Sequence, residues 1–171
     1  WLRTRYGDLD TLNRAWGTAF WSLRITDWAQ VDAPRATTDF RNPGHTLDWS
    51  RFHSDLLLAQ FVVERDGIRR SDPDTPVLTN FMGLYPKLDY WAWAREADAV
   101  ANDTYPDPND PRGARTFAFD SDLMRSLAGT KPFLQLEQAV SAVQWQPVNT
   151  PKRPRVFGLW SMQTVARGAD G

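Results

Sequence analysis

The chain has three glutamates, at positions 64, 96 and 137, and they are not equivalent. Glu64 and Glu96 fall inside helical patterns, where a solvated face is the ordinary place for a charge. Glu137 follows directly on the apolar run Phe133-Leu134-Gln135-Leu136, which reads as a buried strand. A carboxylate at the carboxyl end of a parallel strand lies on the side where barrel enzymes assemble their active sites. There it can serve as nucleophile or as general acid and base; a salt-bridged or capping carboxylate is the other reading. The neighbouring strand ends are polar too. Asn80 ends one apolar run, Asn102-Asp103 ends the next with Tyr105 just beyond, and Trp145 sits in the loop after Glu137. One carboxylate, two amides, a phenol and an indole on one face would suit a sugar. Amides and carboxylates satisfy hydroxyls, and aromatic faces stack on the C–H surface of the ring. His45, read in a turn, and His53, on a helix, lack the spacing of metal ligands, so packing or surface roles are expected and no metal site.

The elements that must position these residues alternate. Strands are expected from Pro76, Ala99 and Phe133, with a fourth starting near Ala169, on average 31 residues apart. Helices are expected over Asp89–Glu96 and Ser121–Ala128, and a last one has Leu159, Met162, Val165 and Ala166 on one side. Such alternation implies parallel strands joined by right-handed crossovers. An eight-fold barrel of about 250 residues needs about 31 per unit. A doubly wound sheet has similar units, but no glycine-rich phosphate loop follows any strand here. Upstream, Asp8 caps a short helix to Trp16 that Gly17 closes. Thr18 to Asn42 reads as a long excursion with short helical turns, and Pro43-Gly44 as a turn. A long helix then runs from about Asp48 to Arg70, with Phe52, Leu56, Ala59 and Val63 as its buried face.

Both ends look cut. Trp1 to Gly7 reads as the last turns of a helix, and the chain stops as a strand could begin. The expectation is a fragment: one incomplete domain over residues 1–171, with no second domain. Composition is that of an ordinary globular protein, except that nine Trp is a large number for 171 residues. A net charge of −1 gives no attraction for a polyanion or an acidic membrane. Without cysteine there is no disulfide framework and no thiolate metal site. No run is long and apolar enough to span a membrane. No cofactor, nucleic acid or membrane partner is expected, and the expected location is cytoplasmic.

Several strings resemble glycoside hydrolase family 42. Arg5-Tyr6-Gly7-Asp8-Leu9-Asp10, Ala15-Trp16-Gly17-Thr18-Ala19-Phe20-Trp21 and Asp27-Trp28 resemble the segment beyond the family's acid/base motif. Leu88 to Glu96 is similar to the helix after the fifth strand, and Asn102-Asp103 with Tyr105-Pro106 to the end of the sixth. Asp122 to Leu127 is similar to the sixth helix, and Leu136-Glu137-Gln138-Ala139 with Ser141-Ala142-Val143 and Trp145 to the nucleophile motif. The resemblance implies a partial (β/α)8 TIM barrel, about strands 5 to 7 with their helices plus the excursion after strand 4. It implies a retaining exo-β-galactosidase working through a covalent glycosyl-enzyme, with Glu137 as nucleophile and Tyr105 hydrogen-bonded to it. Trp145, Trp21 and Asn80 would contact the sugar. The family's acid/base glutamate, in an Asn-Glu-Tyr-Gly motif, is missing from this chain, so the isolated fragment is expected to be inactive. The family often forms trimers. The alternatives are a related exo-glycosidase (α-L-arabinopyranosidase or β-D-fucosidase) and a non-catalytic carbohydrate-binding domain.

Overall fold

The computed structural model describes residues 1–36, 40–139, 142–143 and 146–171. The chain divides into two compact units, Trp1–Gln60 and Phe61–Gly171. Among the described residues no helix is long and apolar enough to cross a membrane.

In the first unit, helix α1 (Leu2–Tyr6) and helix α2 (Leu9–Trp16) are joined through Gly7-Asp8. The Asp8 carboxylate accepts the Thr11 N–H at 2.7 Å, which satisfies a donor that α2 itself cannot. Gly17 ends α2 in the left-handed region, at φ 65°, where only glycine sits without strain. The excursion that follows is pinned from α2. Buried Asn13 donates to the Ile25 carbonyl and accepts the Ile25 N–H, both at 2.8 Å. Among its described residues the excursion holds one 3-10 turn, Trp28–Gln30, capped by Asp27.

Helix α3 runs from Pro43 to Ser71, so Pro43 begins the helix rather than a turn before it. The Asn42 side chain accepts the His45 N–H at 3.0 Å, and proline fits the first helical turn because its missing N–H would have had no partner. The buried side of α3 also differs from expectation. Leu56 and Val63 are 53% and 65% exposed, whereas Ser54 and Phe61 are buried, about half a turn round. Leu56-Leu57-Leu58 and Phe61-Val62-Val63 put apolar groups on every side, so period alone cannot choose the face. Phe61 is taken by Trp93, with ring centroids 5.6 Å apart.

The second unit is built on a three-stranded parallel sheet in the order β1 (Asn80–Phe81), β2 (Val100–Thr104), β3 (Phe133–Gln138). Helix α4 (Tyr90–Glu96) links β1 to β2, and helix α5 (Gly113–Ala128) links β2 to β3. Helix α6 (Val156–Ala166) follows. The α/β class and the parallel sense agree with the expectation from sequence. Strand boundaries do not. β1 is shorter because the Asp98 carboxylate takes the Val77 N–H at 2.7 Å, in place of a ladder partner. β2 and β3 each run about two residues further than expected. Helix α5 begins eight residues before Ser121, and Phe117, Asp120, Ser121, Met124 and Leu127 form its buried stripe. In α6 the buried residues are Trp160 and Thr164, while Leu159, Met162 and Val165 are exposed. α6 is apolar all round, and as in the middle of α3 its contacts rather than its period select the face.

Near the expected fourth strand no strand is formed, but Asp170 donates its N–H to the Phe133 carbonyl at 2.7 Å, and the Gly171 carbonyl accepts from Gln135 at 2.8 Å. These two bonds occupy the side of β3 away from β2. Lys131 locks the helix layer to the sheet. Its ammonium donates to the Ala94, Arg95 and Ala97 carbonyls at 2.8, 3.0 and 2.6 Å, at the negative end of α4.

Candidate active site

The two faces of the sheet have different chemistry. Phe81, Val100, Asn102 and Phe133 lie on the face that the helices cover: Phe81 stacks on Tyr90 of α4 at 4.4 Å, and Asn102 donates to Asp120 of α5 at 2.7 Å. Asn80, Ala101, Asp103 and Leu134 alternate onto the other face.

Strict alternation would send Glu137 to the helix side, in phase with Phe133 and Gln135. It does not go there. The ladder pairs Asn102 with Gln135 but Asp103 with Glu137, so Leu136 is an extra, unpaired residue. Such a bulge reverses the parity of everything after it and re-aims the side chain that follows. Glu137 therefore shares a face with Asn80 and Asp103. Its carboxylate accepts a hydrogen bond from the Tyr105 hydroxyl. The Tyr105 ring is fixed against a cluster of Phe117, Ala139, Val143 and Trp160.

Asp103 sits beside this pair. It is 8% exposed and accepts the Asn80 amide on Oδ2, while Oδ1 has no hydrogen-bond partner among the described residues. Burial pushes its carboxyl above the usual range; the Asn80 bond opposes this and the Glu137 charge adds to it. The Tyr105 phenol is pushed up by burial, by its bond to Glu137 and by the charges of Asp103 and Glu137, so its proton is held firmly.

The expected residues are thus partly assembled. Glu137 and Tyr105 are in contact, and Asn80 reaches the group through Asp103. Asn102 is not part of it. Fully buried on the helix side, it accepts the Gly83 N–H at 3.0 Å and donates to Asp120, so the two amides do not converge on one face. The signal was available: adjacent residues in a strand face opposite ways, so Asn102 and Asp103 cannot both reach the site. Trp21 belongs to the first unit. It is 82% exposed, stacks on Phe20 at 4.6 Å and has φ 48°, unusual for a bulky residue. Trp145 lies outside the described residues. His45 stacks on Trp16 at 4.6 Å and His53 packs edge-on against Trp49, both in packing roles. Among the described residues no cluster of histidine and carboxylates has the arrangement of a metal site.

The model of glycoside hydrolase family 42, described as beta-galactosidase, matches residues 1–171. The chain belongs to this family. Beta-galactosidase bgaB of Geobacillus kaustophilus is 45% identical over 171 residues, which is 100% of this chain and 25% of that protein. The crystal structure of the beta-galactosidase from Bacillus circulans sp. alkalophilus superposes with a TM-score of 0.88 at 46% identity, covering 99% of this chain and 26% of that one. For the polyextremophilic beta-galactosidase of the Antarctic haloarchaeon Halorubrum lacusprofundi the TM-score is 0.89 at 34% identity, over 99% and 27%. The chain spans about a quarter of the length of the curated relatives it matches.

Proposed function

We propose that the whole protein is a retaining exo-β-galactosidase and that this chain supplies its nucleophile, Glu137, from strands 5 to 7 of a (β/α)8 barrel. The observation that carries the reading is the Tyr105 hydroxyl donating to Glu137 at the carboxyl end of a parallel strand. A retaining enzyme needs two carboxyl groups about 5 to 5.5 Å apart. One attacks the anomeric carbon and forms a glycosyl-enzyme; the other protonates the departing oxygen and then draws a proton from water. Tyr105 holds the attacking oxygen in place and stabilises its charge. In the barrel, galactose would sit over Glu137, beside Tyr105 and Asn80, with Trp145 as a further sugar contact.

The acid/base partner is proposed to come from the rest of the protein. We read neither other glutamate as that partner. Glu96 closes α4 in an ion pair with Arg65 at 2.6 Å, and Glu64 lies within α3. A galactoside of the mechanism-based fluoro-sugar type, applied to the full-length enzyme, should label Glu137. Glu137→Gln should lose several orders of magnitude in turnover with sugar binding largely kept. Azide should restore turnover to Glu137→Ala and give a product of inverted configuration, because it attacks from the face the carboxylate vacated. Labelling at another residue, or near-normal turnover in the Gln variant, would remove Glu137 from the mechanism.

A further inference from the structure

Asp103 has no part in the two-carboxylate chemistry, yet it stands opposite Glu137 on the neighbouring strand. Among the described residues, the groups facing it are all neutral or negative. From β1 comes the Asn80 amide, from the chain beyond β2 the Tyr105 hydroxyl, committed to Glu137, and from β3 Glu137 itself. Asp120 of α5 lies behind the same strand, on the helix side, bonded to Asn102. No cation is paired with Asp103 among the described residues. Two carboxyls side by side without a cation between them oppose each other's charge, which favours one proton kept between the two.

The two surroundings decide which carboxyl keeps that proton. Glu137 is exposed and takes the Tyr105 O–H, and both features support a negative charge. Asp103 is more than nine-tenths buried, and one of its oxygens has no partner. An orphaned buried oxygen costs far less on a neutral acid than on an anion. We propose that Asp103 is a positioning residue that carries the proton of an Asp103–Glu137 pair, so that Glu137 is the single anion of the site. This deepens the reading of Glu137 as nucleophile and rests on it. The upward push that burial exerts on the Asp103 carboxyl has the same sense. A neutral Asp103 leaves Glu137 aligned with Tyr105. Loss of its proton would set two anions facing each other across the strand pair and turn Glu137 away.

The test uses the full-length enzyme and a 2-fluoro-galactoside with a dinitrophenolate leaving group. That leaving group needs no proton, so the labelling rate does not read the titration of the acid/base residue. Peptide mapping first locates the label; a site other than Glu137 defeats the nucleophile assignment and is distinguishable from any result on Asp103. With the label on Glu137, the wild-type labelling rate should fall through an inflection on the alkaline side as Asp103 loses its proton. Asp103→Asn, neutral and equal in size, should label within about threefold of wild type at neutral pH and lack that inflection. The difference infrared spectrum of wild type minus Asp103→Asn at neutral pH should show the band of one protonated carboxyl, while the bands of the acid/base residue and of buried Asp120 cancel. A purely structural side chain would move neither the inflection nor its loss in Asn. A wild-type profile flat on the alkaline side, an unchanged inflection in Asp103→Asn, or a hundredfold loss at all pH in a folded Asn variant would each overturn the proposal. Where Asp103→Asn fails to fold, Asp103→Thr, neutral as well, takes its place in both readouts.

Discussion

The Tyr105 hydroxyl, one residue beyond the end of β2, donates to the Glu137 carboxylate on the adjacent strand. Its ring is held by Phe117, Ala139, Val143 and Trp160, so the donor is fixed by the helix layer and the loop after β3 rather than by the sheet alone. Tyr105→Phe keeps the ring and removes only the O–H. In the full-length enzyme the expected loss in kcat/KM is about 10- to 100-fold, the size of one charge-assisted hydrogen bond of about 1.5–3 kcal/mol. Because the phenol is pushed well above its ordinary range, it stays protonated as pH rises. The alkaline limb of the wild-type profile should therefore stay in place in the Phe variant. A shift of that limb would mean that Tyr105 itself titrates.

Asn102 should prove architectural. It bridges Gly83, Asp120 and, at 3.1 Å, the Gln135 amide, which donates to its carbonyl. Gly83 sits at φ 58°, where a side chain would be strained. Asn102→Ala leaves the Gly83 N–H and an Asp120 oxygen buried without partners, which costs about 1–3 kcal/mol for each group. Denaturant midpoints should fall while KM for a galactoside stays near wild type. A selective rise in KM with unchanged stability would return Asn102 to the sugar site.

Asp98 links acid stability to the edge of the sheet. The Val77 N–H holds its carboxyl below the ordinary range, and Arg69 at 2.6 Å and the Lys131 charge add to this, against a smaller effect of burial. A carboxyl whose folded-state pKa is depressed adds stability above its unfolded value, about 3.9, and loses it as pH falls through the folded value. Asp98→Asn should therefore lower the unfolding midpoint at neutral pH, and the gap to wild type should close as pH drops below about 4. Equal gaps at neutral and acid pH would show that shape rather than charge matters at this position.

Lys131 places three donors on the last carbonyls of α4. Lys131→Met keeps most of the aliphatic stem and strips the charge. The expected cost is about 2 kcal/mol, from charge-assisted bonds and the helix end together. Thermal melts of the two proteins would show it, and kcat should not change, since Lys131 precedes β3 at the end opposite Glu137.

The parallel sheet and its helix order are legible in the sequence because strand and helix periods differ, and because Gly129 and Gly168 punctuate the chain. Glu137 is legible from its place after an apolar run. The buried faces of α3 and α6 are not, since α6 and the middle of α3 have apolar groups on every side and only Trp93 and the other contacts decide between sides. Asp103 does not stand out as a functional group, because next to Asn102 it reads as half of one polar strand end. The register that separates them depends on pairing between strands. Leu136 as an unpaired residue leaves no mark in a single sequence, since Phe133-Leu134-Gln135-Leu136-Glu137 is an equally good regular strand.

That unpaired leucine makes the tolerance of β3 to length changes one-sided. A chain that lost Leu136 would pair regularly and still bring its glutamate opposite Asp103. A chain that gained one residue before Glu137 would need a second slip to do the same, or would present its glutamate to the helix layer. One deletion in this strand can thus be absorbed without a new irregularity, and an insertion only with a second slip. Functional length variants of this segment should accordingly be shorter than the present one, not longer.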